Sequence, residues 1–288
     1  MKKILVPIDF SDNAENALFV AADIARKSGA MLELLHVNIA SVYSTPLSEF
    51  SPAVGATFED RDYDSTALTQ LEKIKFELLG NPEFEGLTIQ TRVDDGYLHS
   101  AIKNVADEDK ADLVVMGTKG ASGLNEFLVG SNTEKVIRTS PCPVLAVPPG
   151  VEKFDPKVVL LPTTLKNDQS NAFRYVAQWQ KWYPFLVKAL YLNNPSNLPT
   201  DGSAEALKNR FAEAAGLTKT DVIMTSESFF EDTTILGYAD QVNADLIIMA
   251  THQRHGLSHM VFGSITEDTV NHSHIPVLAV PVHWHIGG

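Results

Sequence analysis

A single cysteine, Cys142, occurs in the 288 residues, which excludes an intramolecular disulfide framework and fits a reducing compartment. Positive charge is scarce as well. Twenty-three Lys plus Arg face 36 Asp plus Glu, a formal charge of −13 that divides as −9 over residues 1–149 and −4 over the rest. Broad binding to a nucleic-acid backbone needs a basic surface that releases counterions, so no nucleic-acid partner is expected. Long apolar runs are missing. The start, Met1 to Asp9, has two lysines and only a short apolar run, whereas a secretory leader needs a longer one. No stretch approaches the roughly 18 apolar residues of a membrane span. A cytoplasmic, soluble chain without a membrane partner is therefore expected. What remains is ordinary for a globular protein, 44% hydrophobic and 20% charged, and the length leans to two domains.

The chain repeats itself. Residues 111–148 run from Ala-Asp-Leu-Val-Val-Met to Pro-Val-Leu-Ala-Val-Pro, and residues 244–281 run from Ala-Asp-Leu-Ile-Ile-Met to the same ending. At a constant offset of 133, 18 of these 38 positions are identical. Nearer the start, Ile4-Leu-Val-Pro7 matches Val159-Leu-Leu-Pro162 at an offset of 155, so the second copy is 22 residues shorter in its middle. The extra length falls near residues 40–62, where Ser, Pro, Gly and Asp cluster and periodicity is lost. Self-similarity of this kind reads as two copies of one domain, 1–149 and 150–288, with the boundary at the short Pro/Gly linker Pro148–Pro156.

Within copy one, short apolar runs alternate with amphipathic stretches. Strands are expected at Lys3–Ile8, Met31–Val37, Leu87–Val93, Ala111–Gly117 and Val144–Val147. Helices are expected at Asp12–Lys27, Ser65–Leu79, Leu98–Ala106 and Ser131–Thr139. Ser11 or Asp12 can cap the first helix and Gly29 can end it, while Ser131-Asn-Thr-Glu134 reads as a capping box, repeated by Ser264-Ile-Thr-Glu267. Continuous apolar strands alternating with helices imply parallel strands covered on both faces. The fold class is α/β, two tandem doubly wound domains.

In such sheets ligands bind beyond the carboxyl ends of strands, where connections diverge to opposite faces. The first strand ends at Pro7-Ile8-Asp9. The fourth ends at Met116-Gly117 and leads through Gly120 to Gly130-Ser131 at a helix start. Glycines let main-chain N–H groups approach an anion, and a helix start adds unpaired donors. Gly120, Gly130 and Ser131 are thus candidates to hold phosphates with little formal charge, and Asp9 to accept from an amino group or a ribose hydroxyl. The plainer alternatives are that the glycines make turns and that Ser131 and Asp9 cap helices.

At these residues the sequence resembles the universal stress proteins. Gly117-x2-Gly120-x9-Gly130-Ser131 matches the ATP-binding signature of that family, and Asp9, Val37 and the terminal Pro141-Cys-Pro-Val-Leu-Ala-Val147 agree with its flanks. The resemblance spans both copies. It implies five-stranded parallel sheets of order 3-2-1-4-5 and a role in stress response. It implies that Pro7, Asp9 and Val37 surround an adenine, that Met116 and Gly117 lie near the ribose, and that Gly120, Gly130, Ser131 and Asn132 hold the phosphates of ATP, with Mg²⁺ or Mn²⁺ carried on the nucleotide. It also implies pairing of the last strands, Val144–Val147 with Val277–Val280, as a pseudo-dimer within the chain. A homodimer is a further assembly open to it.

Copy two departs from the pattern. Gly117 becomes Ala250, Gly120 becomes Gln253 and Asp9 becomes Thr164, although Gly130-Ser131 persists as Gly263-Ser264. Copy one is therefore expected to hold the nucleotide and copy two to serve as its partner. Copy two also carries seven of the nine histidines. His252, His255 and His259 are spaced to share a helical face, the weak candidates for a metal, although no cysteine or carboxylate joins them. Lys166, His252, Arg254 and His255 could instead form a mildly basic anion pocket.

Catalytic signatures are absent. There is no Gly-x4-Gly-Lys-Ser/Thr loop and no Gly-x-Ser-x-Gly elbow, and Cys142 sits between prolines with no signalled base. The reading is an ATP-binding stress or signalling module, with residues 40–62 and their Tyr43, Phe50 and Phe58 closing over the nucleotide. The alternative is a slow ATP hydrolase or self-phosphorylating enzyme, because a bound Mg²⁺-phosphate needs only an oriented water.

Overall fold

The computed structural model describes residues 1–38, 59–118, 131–151, 153–163, 170–191, 220–224, 232–251 and 261–284. The first half runs β1 (Lys3–Pro7), α1 (Asp12–Ser28), β2 (Met31–Asn38), α2 (Glu59–Leu79), a 3-10 turn (Pro82–Phe84), β3 (Ile89–Asp95), α3 (Leu98–Glu108), β4 (Leu113–Gly117), α4 (Ser131–Thr139) and β5 (Val144–Val147). The second runs β6 (Val158–Thr163), α5 (Ser170–Trp179), β7 (Leu186–Tyr191), β8 (Thr220–Met224), α6 (Asp232–Gln241), β9 (Leu246–Thr251), α7 (Val261–His272) and β10 (Val277–Pro281).

The ten strands among the described residues join one sheet, in the order β3-β2-β1-β4-β5-β10-β9-β6-β7-β8. Each half is the parallel 3-2-1-4-5 arrangement. The halves meet in one antiparallel pair, with Val144, Leu145 and Ala146 of β5 opposite Ala279, Leu278 and Val277 of β10. Two edges that would otherwise stand open are closed against each other. The outer edge of the first half is β3, half-exposed and carrying Arg92, Asp94 and Asp95, charges that discourage further strand addition.

Local sequence explains the elements. Ala14, Ala17, Leu18, Ala21, Ala22, Ile24 and Ala25 bury one side of α1. Ser11 caps it, its Oγ accepting from the Ala14 N–H at 3.3 Å. Gly29 ends it in the left-handed region at φ 73°, donating its N–H to the Ala25 carbonyl, a conformation that costs glycine nothing. Helix α2 begins at Glu59, six residues ahead of the apolar periodicity. The sequence of Glu59–Asp64 has no apolar stripe to announce it. Residues 59–62, expected to be irregular, are thus helical, while 40–58, with Tyr43, Phe50 and Phe58, lies outside the described residues.

Hydrophobic side chains sort onto two faces of the sheet. One face joins Ile4, Val6 and Ile8 to α1, α2 and α5; the other joins Leu5, Val37 and Met116 to α3, α4, α6 and α7. Each core layer runs through both halves without a break. The repeat is visible in single hydrogen bonds. Asp112 Oδ2 accepts the N–H groups of Lys2 and Lys3 at the foot of β1, and Asp245 Oδ2 accepts those of Lys157 and Val158 at the foot of β6. Ser140 Oγ donates to the Cys142 carbonyl at 2.8 Å as Ser273 Oγ does to Ile275 at 2.7 Å.

Candidate functional site

The carboxyl ends of β1, β2 and β4 lie side by side in the first half. Helix α1 leaves β1 for one face of the sheet, and α4, which follows β4, packs on the other. The connections therefore part between β1 and β4, the kind of crevice in which open α/β sheets take ligands. Val37 and Met116, 7% and 5% exposed, share the α3/α4 layer. Pro7 is buried and alternates with Val6, so it belongs to that same layer. Three of the residues singled out in the sequence thus come together as an apolar wall.

Asp9 is exposed just beyond β1. Its Oδ1 accepts from the Ser11 N–H at 3.0 Å and from the Ser11 hydroxyl at 2.5 Å. Asp9 therefore does not cap α1 itself; it orients the serine that does. Its Oδ2 accepts no hydrogen bond among the described residues and remains available at the sheet edge. Between Asp9 and Ser11 the backbone of Phe10 lies in the left-handed region, φ 62°, an uncommon and strained state for a bulky residue. The Phe10 ring rests 4.6 Å from the His36 ring, and His36 Nδ1 donates to the Ile8 carbonyl at 2.8 Å.

Gly117 has a role that spacing alone did not reveal. A Cβ built on it would stand 2.3 Å from the Asn13 carbonyl oxygen and 2.6 Å from its carbon. The first turn of α1 lies across the end of β4, and only hydrogen fits between. Thr118 follows, buried, with its N–H donated to the Val147 carbonyl at 2.9 Å. Gly120 and Gly130 lie outside the described residues, as does the side chain of Ser131, whose backbone opens α4. Asn132 is exposed in the same first turn.

The capping-box reading is corrected in copy two, while in copy one it falls on the Ser131 side chain, outside the described residues. The carboxylate of Glu134 is held by Arg138 one turn on, and the same guanidinium grips Glu267 of α7 in the other half. Burial and the neighbouring Glu267 lift the Glu134 carboxyl above the usual range. In copy two, helix α7 begins at Val261, so Ser264 stands fourth in the helix and is not its cap.

Thr164, Gln253, Lys166, Arg254 and the histidines 252, 255 and 259 lie outside the described residues. Of the other copy-two histidines, His272 Nδ1 lies 2.6 Å from Asp232 and His274 Nε2 lies 3.3 Å from Asp240. No three metal-binding side chains converge among the described residues. Cys142 is buried and its thiol is pushed up to about 12, chiefly by burial, which leaves negligible thiolate at neutral pH. No helix among the described residues is long and apolar enough to cross a membrane.

Comparison with known proteins agrees with this architecture. Universal stress protein YxiE of Bacillus subtilis is 32% identical over 149 residues, half of this chain and 97% of its own length. The crystal structure of a universal stress protein from Archaeoglobus fulgidus shares the fold over 97% of this chain and 98% of its own, with a TM-score of 0.70 at 20% identity. A universal stress protein solved in complex with cAMP is 26% identical, covering 51% of this chain and 95% of its own, with a TM-score of 0.34. The profile of the universal stress protein family matches twice, over residues 1–148 and 159–281, and the chain therefore belongs to that family as a tandem of two such domains.

Proposed function

We propose that copy one, residues 1–149, holds an adenine nucleotide in the crevice between β1 and β4, and that binding rather than turnover is its output in a cytoplasmic stress or signalling response. The observation that carries this reading is the convergence of Pro7, Val37 and Met116 on one sheet face at the point where the connections part. These residues would receive the flat apolar base. Asp9 Oδ2, left unused by the capping serine, would accept from the base amino group or a ribose hydroxyl, and Met116 and Gly117 would lie along the ribose. The first turn of α4, with Ser131 and Asn132, would meet the phosphates together with Gly120 and Gly130, and Mg²⁺ or Mn²⁺ would arrive with them. Copy two, residues 150–288, is read as the built-in partner, because Thr164, Ala250 and Gln253 replace Asp9, Gly117 and Gly120.

Calorimetric titration of the full chain with Mg-ATP tests this. One nucleotide per chain is expected, with affinity reduced at least about tenfold, roughly 1.4 kcal/mol, by Gly120→Val and unchanged by Gln253→Val. Two nucleotides per chain, none, or equal binding by Gly120→Val would overturn it. Sustained release of phosphate by the wild-type chain, lost in Gly120→Val, would move the reading to an ATP hydrolase.

A further inference from the structure

A second cavity, of about 320 Å³, opens between α1 and α2, and we propose that it binds a small organic cation with an apolar body, such as an arylalkyl ammonium. It lies on the other side of the sheet from the nucleotide crevice. Ile8, Leu18 and Leu78 belong to the α1/α2 core layer and Ile74 packs against it, whereas Val37 and Met116 belong to the opposite layer. The volume is at the small end of the range that ligand sites occupy.

Its chemistry selects the occupant. The floor is aliphatic: Ile8, Leu18, Ile74 and Leu78. At the mouth stand Phe10 and Phe19, each 38% exposed, two aromatic faces of the kind that attract a cation. The strained backbone of Phe10 and its contact with His36 fix one of those rings in place. Among the described residues the charged groups in the lining are the carboxylates of Glu15 and Glu77, and no Lys, Arg or His lines it. Glu77 has Lys73 at 3.6 Å on the outer face of α2, while Glu15 makes no ion pair among the described residues. An apolar floor, aromatic lips and an acidic rim repel a polyphosphate and suit an ammonium carried on a hydrophobic stem.

The test uses the full chain, labelled with ¹³C in its Ile and Leu methyl groups and titrated separately with 4-phenylbutylamine, 4-phenyl-1-butanol and 4-phenylbutanoate. Saturable shifts are expected at Ile8, Leu18, Ile74 and Leu78. The amine should bind roughly three- to tenfold more tightly than the isosteric alcohol, and the carboxylate more weakly than either. Glu15→Gln combined with Glu77→Gln, both exposed positions, should equalise amine and alcohol while leaving the alcohol's affinity unchanged. Equal binding of amine and alcohol in the wild type, shifts confined to other residues, no saturable shift, or an amine preference that survives the double substitution would each overturn the proposal. Saturating Mg-ATP should leave the amine shifts in place; displacement would assign the cavity to the nucleotide crevice and overturn it too. A chain that binds no ATP leaves the amine result standing.

Discussion

Asp112 and Asp245 hold the feet of β1 and β6 in the same way, and Ser140 and Ser273 make the same turn, but the opposite edges of the two halves have gone separate ways. Gly117 faces Ala250 in the alignment, and Asp9 faces Thr164. The helices that pack under the sheet differ as well. At an offset of 155, Leu18, Val20 and Ile24 of α1 correspond to Phe173, Tyr175 and Trp179 of α5, and Ser28 and Ala30 to Tyr183 and Phe185. The contacts that build a doubly wound sheet are kept twice. Of the crevice residues, Pro7 and Met116 are kept as Pro162 and Met249 while Asp9 and Gly117 are not, and the helix under the second sheet carries aromatic bulk where α1 is aliphatic.

That bulk faces the first half. The Tyr183 hydroxyl donates to Asp23 at 2.8 Å, with Lys27 lying 4.0 Å above its ring. Tyr175 donates to the Asp112 carbonyl at 3.4 Å. Trp179 is fully buried between them, its ring 5.9 Å from Tyr175 and 6.0 Å from Tyr183. Giving copy two the residue of copy one, Trp179→Ile, leaves a cavity under both halves. The expected loss is about 3 kcal/mol, at the lower end for a buried tryptophan, because the indole N–H has no partner among the described residues and its removal returns part of the cost. Urea unfolding followed by circular dichroism measures it. A loss below about 1 kcal/mol would mean that the aromatic layer does not bind the halves together.

The next exchange is between Gly117 and Ala250. Gly117→Ala drives a Cβ into the Asn13 carbonyl, a main-chain atom that moves only if the first turn of α1 moves. The expected cost is about 2 kcal/mol, in the range of overpacking. Ala250→Gly should cost about 0.5–1 kcal/mol, the ordinary penalty of a strand glycine. Equal costs would show that α1 accommodates the methyl group, and Gly117 would then be free for a role in ligand binding alone.

Much of this was legible beforehand. The repeat, its two offsets and the parallel halves follow from apolar runs that recur at fixed spacing, the pairing of the last strands follows from the family resemblance, and Ser11 is one of the two caps, Ser11 or Asp12, that the helix start offers. What was not legible depends on approach between distant segments. No spacing rule announces that Asn13 lies on Gly117 or that Arg138 reaches Glu267 across the junction. Apolar periodicity marks helix α2 only from Ser65, six residues inside its start, because a helical turn without apolar residues leaves no periodic signal. Likewise β3 was expected from Leu87 but pairs with β2 over Ile89–Asp95, since its polar end is selected by register and not by hydrophobicity.

The smallest of the expected differences lies at the amino edge. Lys3 Nζ sits 3.1 Å from Glu33 and 3.2 Å from Asp109, where copy two has Val158, Lys188 and Val242. Burial holds the Glu33 carboxyl above its ordinary range. Burial also pulls on Asp109, but its hydrogen bonds with Glu33 and Lys3 and the charges of Lys3 and Arg92 outweigh that and keep it below the ordinary range. Lys3→Val, copy two's residue, leaves the two carboxylates facing each other with Arg92, 3.6 Å from Asp109, as the remaining cation paired to them among the described residues. At pH 7 the loss should be about 1–2 kcal/mol, less than for a fully isolated buried charge because Arg92 remains. Glu33 then climbs further above its unfolded value of about 4.5. A folded state that takes up its proton more readily gains on acidification. Asp109, without Lys3, has less depressed-pKa stabilisation to lose at low pH, so both carboxyls act in the same direction. The gap between Lys3→Val and wild type should narrow as the pH falls from 7 toward 4.5, and Lys3→Val with Glu33→Gln should close most of it at pH 7. Urea titrations at the two pH values decide it: a gap that stays constant on acidification would mean that Lys3 contributes through the packing of its stem rather than through its charge.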